Sequence, residues 1–109
     1  MRIRFFVAAA LLLASPLAAL AEDMPTFRLE MGDGKFSTTR IEAPARTRFK
    51  IEVVNKGKTP AEFESLQLRK EKVLAPGAES FVVFQSLSPG EYRFYDDFHP
   101  SAQGVIVVK

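Results

Sequence analysis

Gly90-Glu91-Tyr92-Arg93-Phe94-Tyr95-Asp96-Asp97-Phe98-His99-Pro100 is the stretch whose reading decides the fold. Tyr92, Arg93, Phe94 and Tyr95 alternate as a strand does when one face meets a core. Pro89-Gly90 ahead of them suits a type II turn. The strand runs straight into a loop with two carboxylates and the only histidine of the chain. A second strand, Gly104 to Lys109, follows at once and is β-branched from Val105 to Val108. Asp96, Asp97 and His99 are thereby pinned between two strands, a place where a small β-protein can hold a metal ion.

Outward from this tail the same pattern recurs. Thr47 to Val53 alternates strictly, with Phe49, Ile51 and Val53 on one side and Arg48, Lys50 and Glu52 on the other. Phe27 to Met31 repeats it. Phe81-Val82-Val83-Phe84 is an unbroken apolar run, expected to be buried on both faces. Ala61 to Lys72 is ambiguous: Leu66 and Leu68 fit a strand, while Glu62 to Leu66 fits a helical turn. Gly32-Asp33-Gly34 predicts a tight hairpin, Asn55 to Pro60 a longer loop, and Pro76-Gly77 another type II turn. About seven short strands at this spacing predict an all-β domain, a Greek-key β-sandwich or a small barrel.

The N-terminus predicts export. Arg2 and Arg4 precede an apolar run from Phe5 to Leu13, Pro16 breaks it, and Ala19-Leu20-Ala21 is a small-x-small cleavage site. Residues 1–21 are therefore expected to be a signal peptide, 22–109 the domain, and the periplasm its location. Arg2 and Arg4 leave with the leader, so 13 of the 15 basic residues remain against 13 acids. A domain near neutrality, with no basic stripe, is not a nucleic-acid binder. With no cysteine it has neither a disulfide nor a thiolate ligand.

Two segments carry candidate chemistry. Glu62-Phe63-Glu64, if extended, puts both carboxylates on one face and Phe63 on the other. Taken alone, that pair reads first as a solvated strand face. Asp96, Asp97 and His99 together offer hard oxygen donors and one imidazole, a mixture suited to Fe(II), Mn(II), Zn(II) or Cu(II). No serine sits in a Gly-x-Ser-x-Gly elbow and no glycine-rich phosphate loop is present.

The tail resembles the closing segment of cupredoxins, in which a Gly-x-Tyr-x-Phe-x-Cys-x-x-His stretch enters the ligand loop and a Gly-x-(Ile/Val)-x-Val strand completes the sandwich. Gly104 to Val108 fits that last strand, and Asn55 to Pro60 looks like the loop before the family's first histidine. The departures are plain: Asp96 stands in the place of the copper-binding cysteine, Ala61-Glu62-Phe63-Glu64 in the region of the first histidine, and no methionine follows His99.

Glu62-Phe63-Glu64 and Asp96-Asp97-Phe98-His99 resemble more narrowly the cupredoxin-like proteins of bacterial periplasmic iron uptake, of the EfeO and FtrB kind. That resemblance implies one site built from Glu62, Glu64, Asp96, Asp97 and His99. It implies an iron or copper ion as ligand, and a membrane iron permease and other periplasmic components as partners. It leaves open a role in Fe(II) oxidation or electron transfer, and a metal-free interaction domain that keeps the fold.

Overall fold

The computed structural model describes residues 24–109, so the expected leader lies outside the described residues. Nine strands follow in order: β1 Thr26–Gly32, β2 Lys35–Phe36, β3 Arg40–Ala43, β4 Phe49–Asn55, β5 Ala61–Ser65, β6 Lys70–Leu74, β7 Glu79–Phe84, β8 Gly90–Asp96 and β9 His99–Val108. They form two sheets, β2-β1-β4-β7 and β3-β9-β8-β5-β6. Among the described residues there is no helix. The expected all-β sandwich is the fold. The strands exceed seven because β2 has two residues, β3 has four, and 61–74 is a hairpin rather than one element.

Each sheet is mixed. β1 runs parallel to β4, and β3 runs parallel to β9, while the remaining pairs are antiparallel. The β1–β2 hairpin closes on Asp33-Gly34 with φ of 50° and 82°. Two successive residues in the left-handed region make the turn whose twist matches the strands it joins, which is why Asp-Gly stands there. Gly77, at φ 81°, takes the type II turn position, and Ala78 N donates to Ala75 O at 2.9 Å. Gly90 differs: its φ is 158°, so the chain bends at Pro89 and opens β8 without that turn.

Between the sheets lies a phenylalanine ladder. Phe49, Phe63, Phe84 and Phe94 are fully buried. Phe49 stacks on Phe84 at 5.0 Å within one sheet, and Phe63 on Phe94 at 5.4 Å within the other. Phe63 meets Phe84 edge-on at 6.5 Å, and Phe36 meets Phe94 edge-on at 5.2 Å, joining the two layers. Each such ring contributes about 1.5–3 kcal/mol through burial, and edge-on or offset pairs add to it.

Phe81-Val82-Val83-Phe84 is not buried on both faces. β7 is an edge strand whose burial alternates, and Phe81 is 53% exposed beneath the Lys50 ammonium. In a two-layer sandwich each sheet has one covered face, and Phe81 lies on the other.

The loop before β5 is held from below. Asn55 is fully buried; its Nδ2 donates to Thr59 O (2.8 Å) and Leu74 O (3.0 Å), and its Oδ1 accepts from Gly57 N (2.9 Å). From the other side the Asp33 carboxylate accepts from Lys58 N, Thr59 N and Thr59 Oγ1. These bonds, Thr59 first, hold the Asp33 carboxyl below its usual range. A side chain on Gly32 would lie 2.3 Å from Gly57 N, so the β1–β2 hairpin and this loop touch backbone to backbone.

Candidate metal centre

β5 sets the site by alternation. Ala61, Phe63 and Ser65 are fully buried facing the core, which puts Glu62 and Glu64 on the outer face. On β8 the buried Phe94 faces inward. Cα pairing then decides the rest: Phe63 lies opposite Asp96, and Glu64 lies opposite Tyr95. Directly opposed residues share a face. Asp96 therefore points inward beside Phe63, Tyr95 points outward beside Glu64, and Asp97 turns outward again.

The five residues expected in one pocket accordingly fall into two groups. Glu62, Glu64 and Asp97 each place a carboxylate oxygen within 4.8 Å of the others. Neither Asp96 nor His99 joins them. Asp96 is 1% exposed; its Oδ1 accepts from Glu62 N and Phe98 N, each at 3.0 Å, and its Oδ2 lies 3.0 Å from His99 Nδ1. It holds β5 to the Asp97-Phe98 turn, helped by a bond from Asp97 N to Glu62 O at 3.0 Å. His99 packs against Gly34 of the β1–β2 hairpin and lines a shallow hollow with Thr59, Pro60 and Phe98. It is also the first residue of β9, which begins earlier than Gly104. Residues 100–102 are left unpaired between Tyr95↔Gln103 and Asp96↔His99, and this bulge accommodates Pro100.

Glu71 completes the outer group and was not singled out from sequence. It lies directly opposite Glu64 on β6, so Tyr95, Glu64 and Glu71 form a row across three strands. Only the β5–β6 register reveals this; in sequence Glu71 is one acid among basic neighbours.

The electrostatics of the outer group are one-sided. Glu62 is 8% exposed, and burial pushes its carboxyl up, followed by the charges of Glu64, Asp97 and Glu71. Burial and then Asp97 and Glu71 push Glu64 up as well. Elsewhere acids meet bases: Glu30 and Glu79 meet Arg28, and Glu42 meets Arg40 and Lys109. Among the described residues Glu62, Glu64, Glu71 and Asp97 make no ion pair.

A family model described as a cupredoxin-like domain matches residues 4–108. The chain belongs to the cupredoxin-like family. It is 34% identical over 82 residues to an uncharacterized protein of Rickettsia prowazekii (strain Madrid E), covering 74% of this chain and 66% of that relative, just under two thirds of its length. It superposes on auracyanin A, a "blue" copper protein from Chloroflexus aurantiacus, with a TM-score of 0.66, 14% identity and coverage of 77% of this chain and 98% of that one. For a purple cupredoxin from Nitrosopumilus maritimus the TM-score is 0.59 and the identity 21%, over 76% of this chain and 99% of that one. At these identities the structural likeness is one of fold.

This cupredoxin-like chain does not carry the donor set of a blue centre. Such a centre needs a thiolate and two imidazoles; here there is no cysteine and one histidine, whose Nδ1 is engaged by Asp96. The outer carboxylates do fit a metal of another kind. Clustered anionic oxygens without a counter-charge suit a hard cation, which would relieve their mutual repulsion.

Proposed function

We propose that this domain binds iron as cargo on the outer face of its five-stranded sheet, through Glu62, Glu64 and Asp97 with Glu71 beside them. In this reading it works in the periplasm, as EfeO- and FtrB-like proteins do, and passes the ion to a membrane iron permease. The observation that carries it is the convergence of three carboxylates within 4.8 Å with no ion pair among them. A fold that only needed solubility would pair or spread those charges, as it does at Arg28–Glu30 and Arg40–Glu42. Asp96 and His99 support the site by fixing the turn that bears Asp97, and they are not assigned as ligands.

Calorimetric titration of the purified protein with Fe(II) under anaerobic conditions, Mn(II), Zn(II) and Cu(II) tests this. Binding of Fe(II) and Mn(II) that falls by about 100-fold in Glu62→Gln/Glu64→Gln/Asp97→Asn, in line with losing the anionic oxygens on which such cations depend, supports the assignment. Equal affinity in that variant overturns it, and absence of binding leaves the metal-free interaction domain in its place. A strong preference for Cu(II) lost with His99→Ala moves the metal to the inner group.

A further inference from the structure

We propose that a second copy of this chain pairs along β7, joining two four-stranded sheets into one across a two-fold axis at Phe81. The candidate metal centre lies on the other sheet and plays no part in this pairing.

Four strands lie at sheet edges: β2, β7, β3 and β6. An edge strand offers unpaired N–H and C=O groups to any extended chain, and proteins blunt it by shortness, charge, proline or a bulge. Three of the four are blunted. β2 has two residues; β3 has four and carries the Arg40–Glu42 ion pair; β6 carries Lys70, Glu71 and Lys72. β7 has six residues, runs without a break in register against β4, and holds neither charge nor proline from Ser80 to Phe84.

The backbone bonds of β4 tell which groups of β7 are free. Asn55 N donates to Ala78 O on the β7 side at 2.9 Å, while Lys50 N donates to Pro25 O on the β1 side at 2.9 Å. Odd-numbered residues of β4 therefore turn their backbone groups to β7, and even-numbered ones to β1. Ser80, Val82 and Phe84 lie opposite Val53, Ile51 and Phe49 and bond to them. Glu79, Phe81 and Val83 turn their N–H and C=O groups away from β4, and among the described residues no strand meets them there.

Charge selects a second copy as the occupant. The side chains of Glu79, Phe81 and Val83 share the outer face with Val54, Glu52 and Lys50, their opposites on β4. Glu79 stands at one end of the free edge, and its contact with Arg28 is exposed and long, at 3.5 Å. Lys50 stands at the other end, opposite Val83, and its ammonium leans over the Phe81 ring, 5.4 Å from the centroid. An antiparallel copy exchanges the two ends. With Phe81 opposite Phe81, Glu79 faces Val83 of the second copy, in the row that continues to that copy's Lys50. Sliding the copies by two residues one way carries Glu79 past this row, and sliding them the other way sets it in the row of Glu52. The aligned register also brings together two Phe81 rings, each 53% exposed in the single chain. Two strands of this length make an interface below the roughly 1,200 Å² of a standard one, so the pairing is concentration-dependent.

Sedimentation of the purified, metal-free protein across a dilution series should show a monomer–dimer equilibrium. As concentration rises, the amides of Glu79, Phe81 and Val83 should gain protection from hydrogen exchange. Those of Ser80, Val82 and Phe84, already bonded to β4, should not change. Phe81→Lys should leave monomer alone. Val83→Pro removes a donor that faces away from β4, and should weaken association by about tenfold with the fold retained in a thermal melt. Lys50→Glu and Glu79→Lys should each weaken association by about tenfold. An equimolar mixture of those two variants should recover the parent's association, because every Lys50–Glu79 pair between unlike copies is again of opposite sign. Leu66→Lys, at an exposed apolar residue away from this edge, should change nothing. A parent protein that stays monomeric overturns the pairing and leaves the edge to an extended segment of another protein. A dimer that survives Phe81→Lys, or that forms without new protection at Phe81 and Val83, also overturns it. A mixture that fails to recover overturns the register with Phe81 on the axis.

Discussion

Asp96 and Asp97 are neighbours in the chain and opposites in the fold. Asp96 is sealed inside, with both oxygens engaged by Glu62 N, Phe98 N and His99. Asp97 lies outside, in a group of acids that makes no ion pair among the described residues. One carboxylate is used to build the turn, and the other is left free by it. The comparison separates two roles that acidic residues at a metal-site motif are readily assumed to share.

The sharpest way to break that distinction is Asp96→Ala. It strands two backbone donors and a histidine, and should cost about 3 kcal/mol or more in a denaturant melt. Loss of metal affinity with stability intact would instead make Asp96 a ligand and merge the two regions. Next is Glu62→Gln/Glu64→Gln/Asp97→Asn, whose loss of about 100-fold in metal affinity, about 2.7 kcal/mol, should come with no loss of apo stability. A collapse of the fold would show that the outer acids are structural.

Ser65→Ala probes the inner face of β5, where the buried hydroxyl has no hydrogen-bond partner among the described residues. Relieving that desolvated group should raise stability by about 1 kcal/mol and leave metal binding unchanged.

The smallest effect is in the pH profile of the apo protein. Glu62 and Glu64 have folded-state pKa values above their unfolded ones, so the folded chain holds more protons across that interval. Stability should therefore fall as pH rises from the ordinary carboxylate range through their raised values. Asp33 and Glu42 are shifted down, and their contribution is lost as pH falls below that range. Glu62→Gln should flatten the neutral side of the profile and leave the acid side as it was; thermal melts across pH would show whether it does.

Much of this was legible from the chain alone, where periodicity and turn chemistry act locally. The alternation in Phe49 to Val53, Asp33-Gly34 as a two-residue turn, and Gly77 in the left-handed region all follow from nearest-neighbour sterics. The shared face of Glu62 and Glu64 was legible only on condition that the segment is extended, since the sequence left a helical turn open there. The division between Asp96 and Asp97 was not, because it depends on Phe63 lying opposite Asp96 across more than thirty residues. Glu71 was hidden likewise, since only the β5–β6 register brings it beside Glu64. Phe81 misled because an apolar run does not announce that its sheet has only one covered face. Pro100 suggested a loop, and the bulge that admits it into β9 has no short-range signature.

The parallel pairing of β3 with β9 joins residues 40–43 to residues 105–108. β9 also forms the longest border of β8, so the five-stranded layer lacks the strand that joins β3 to β8 until β9 arrives. A polypeptide delivered from its N-terminus could complete the four-stranded layer with residue 84, whereas the five-stranded layer waits until residue 108 has emerged. Completion of the layer would then be abrupt, with the acids of β5 gaining their final spacing only at that last step.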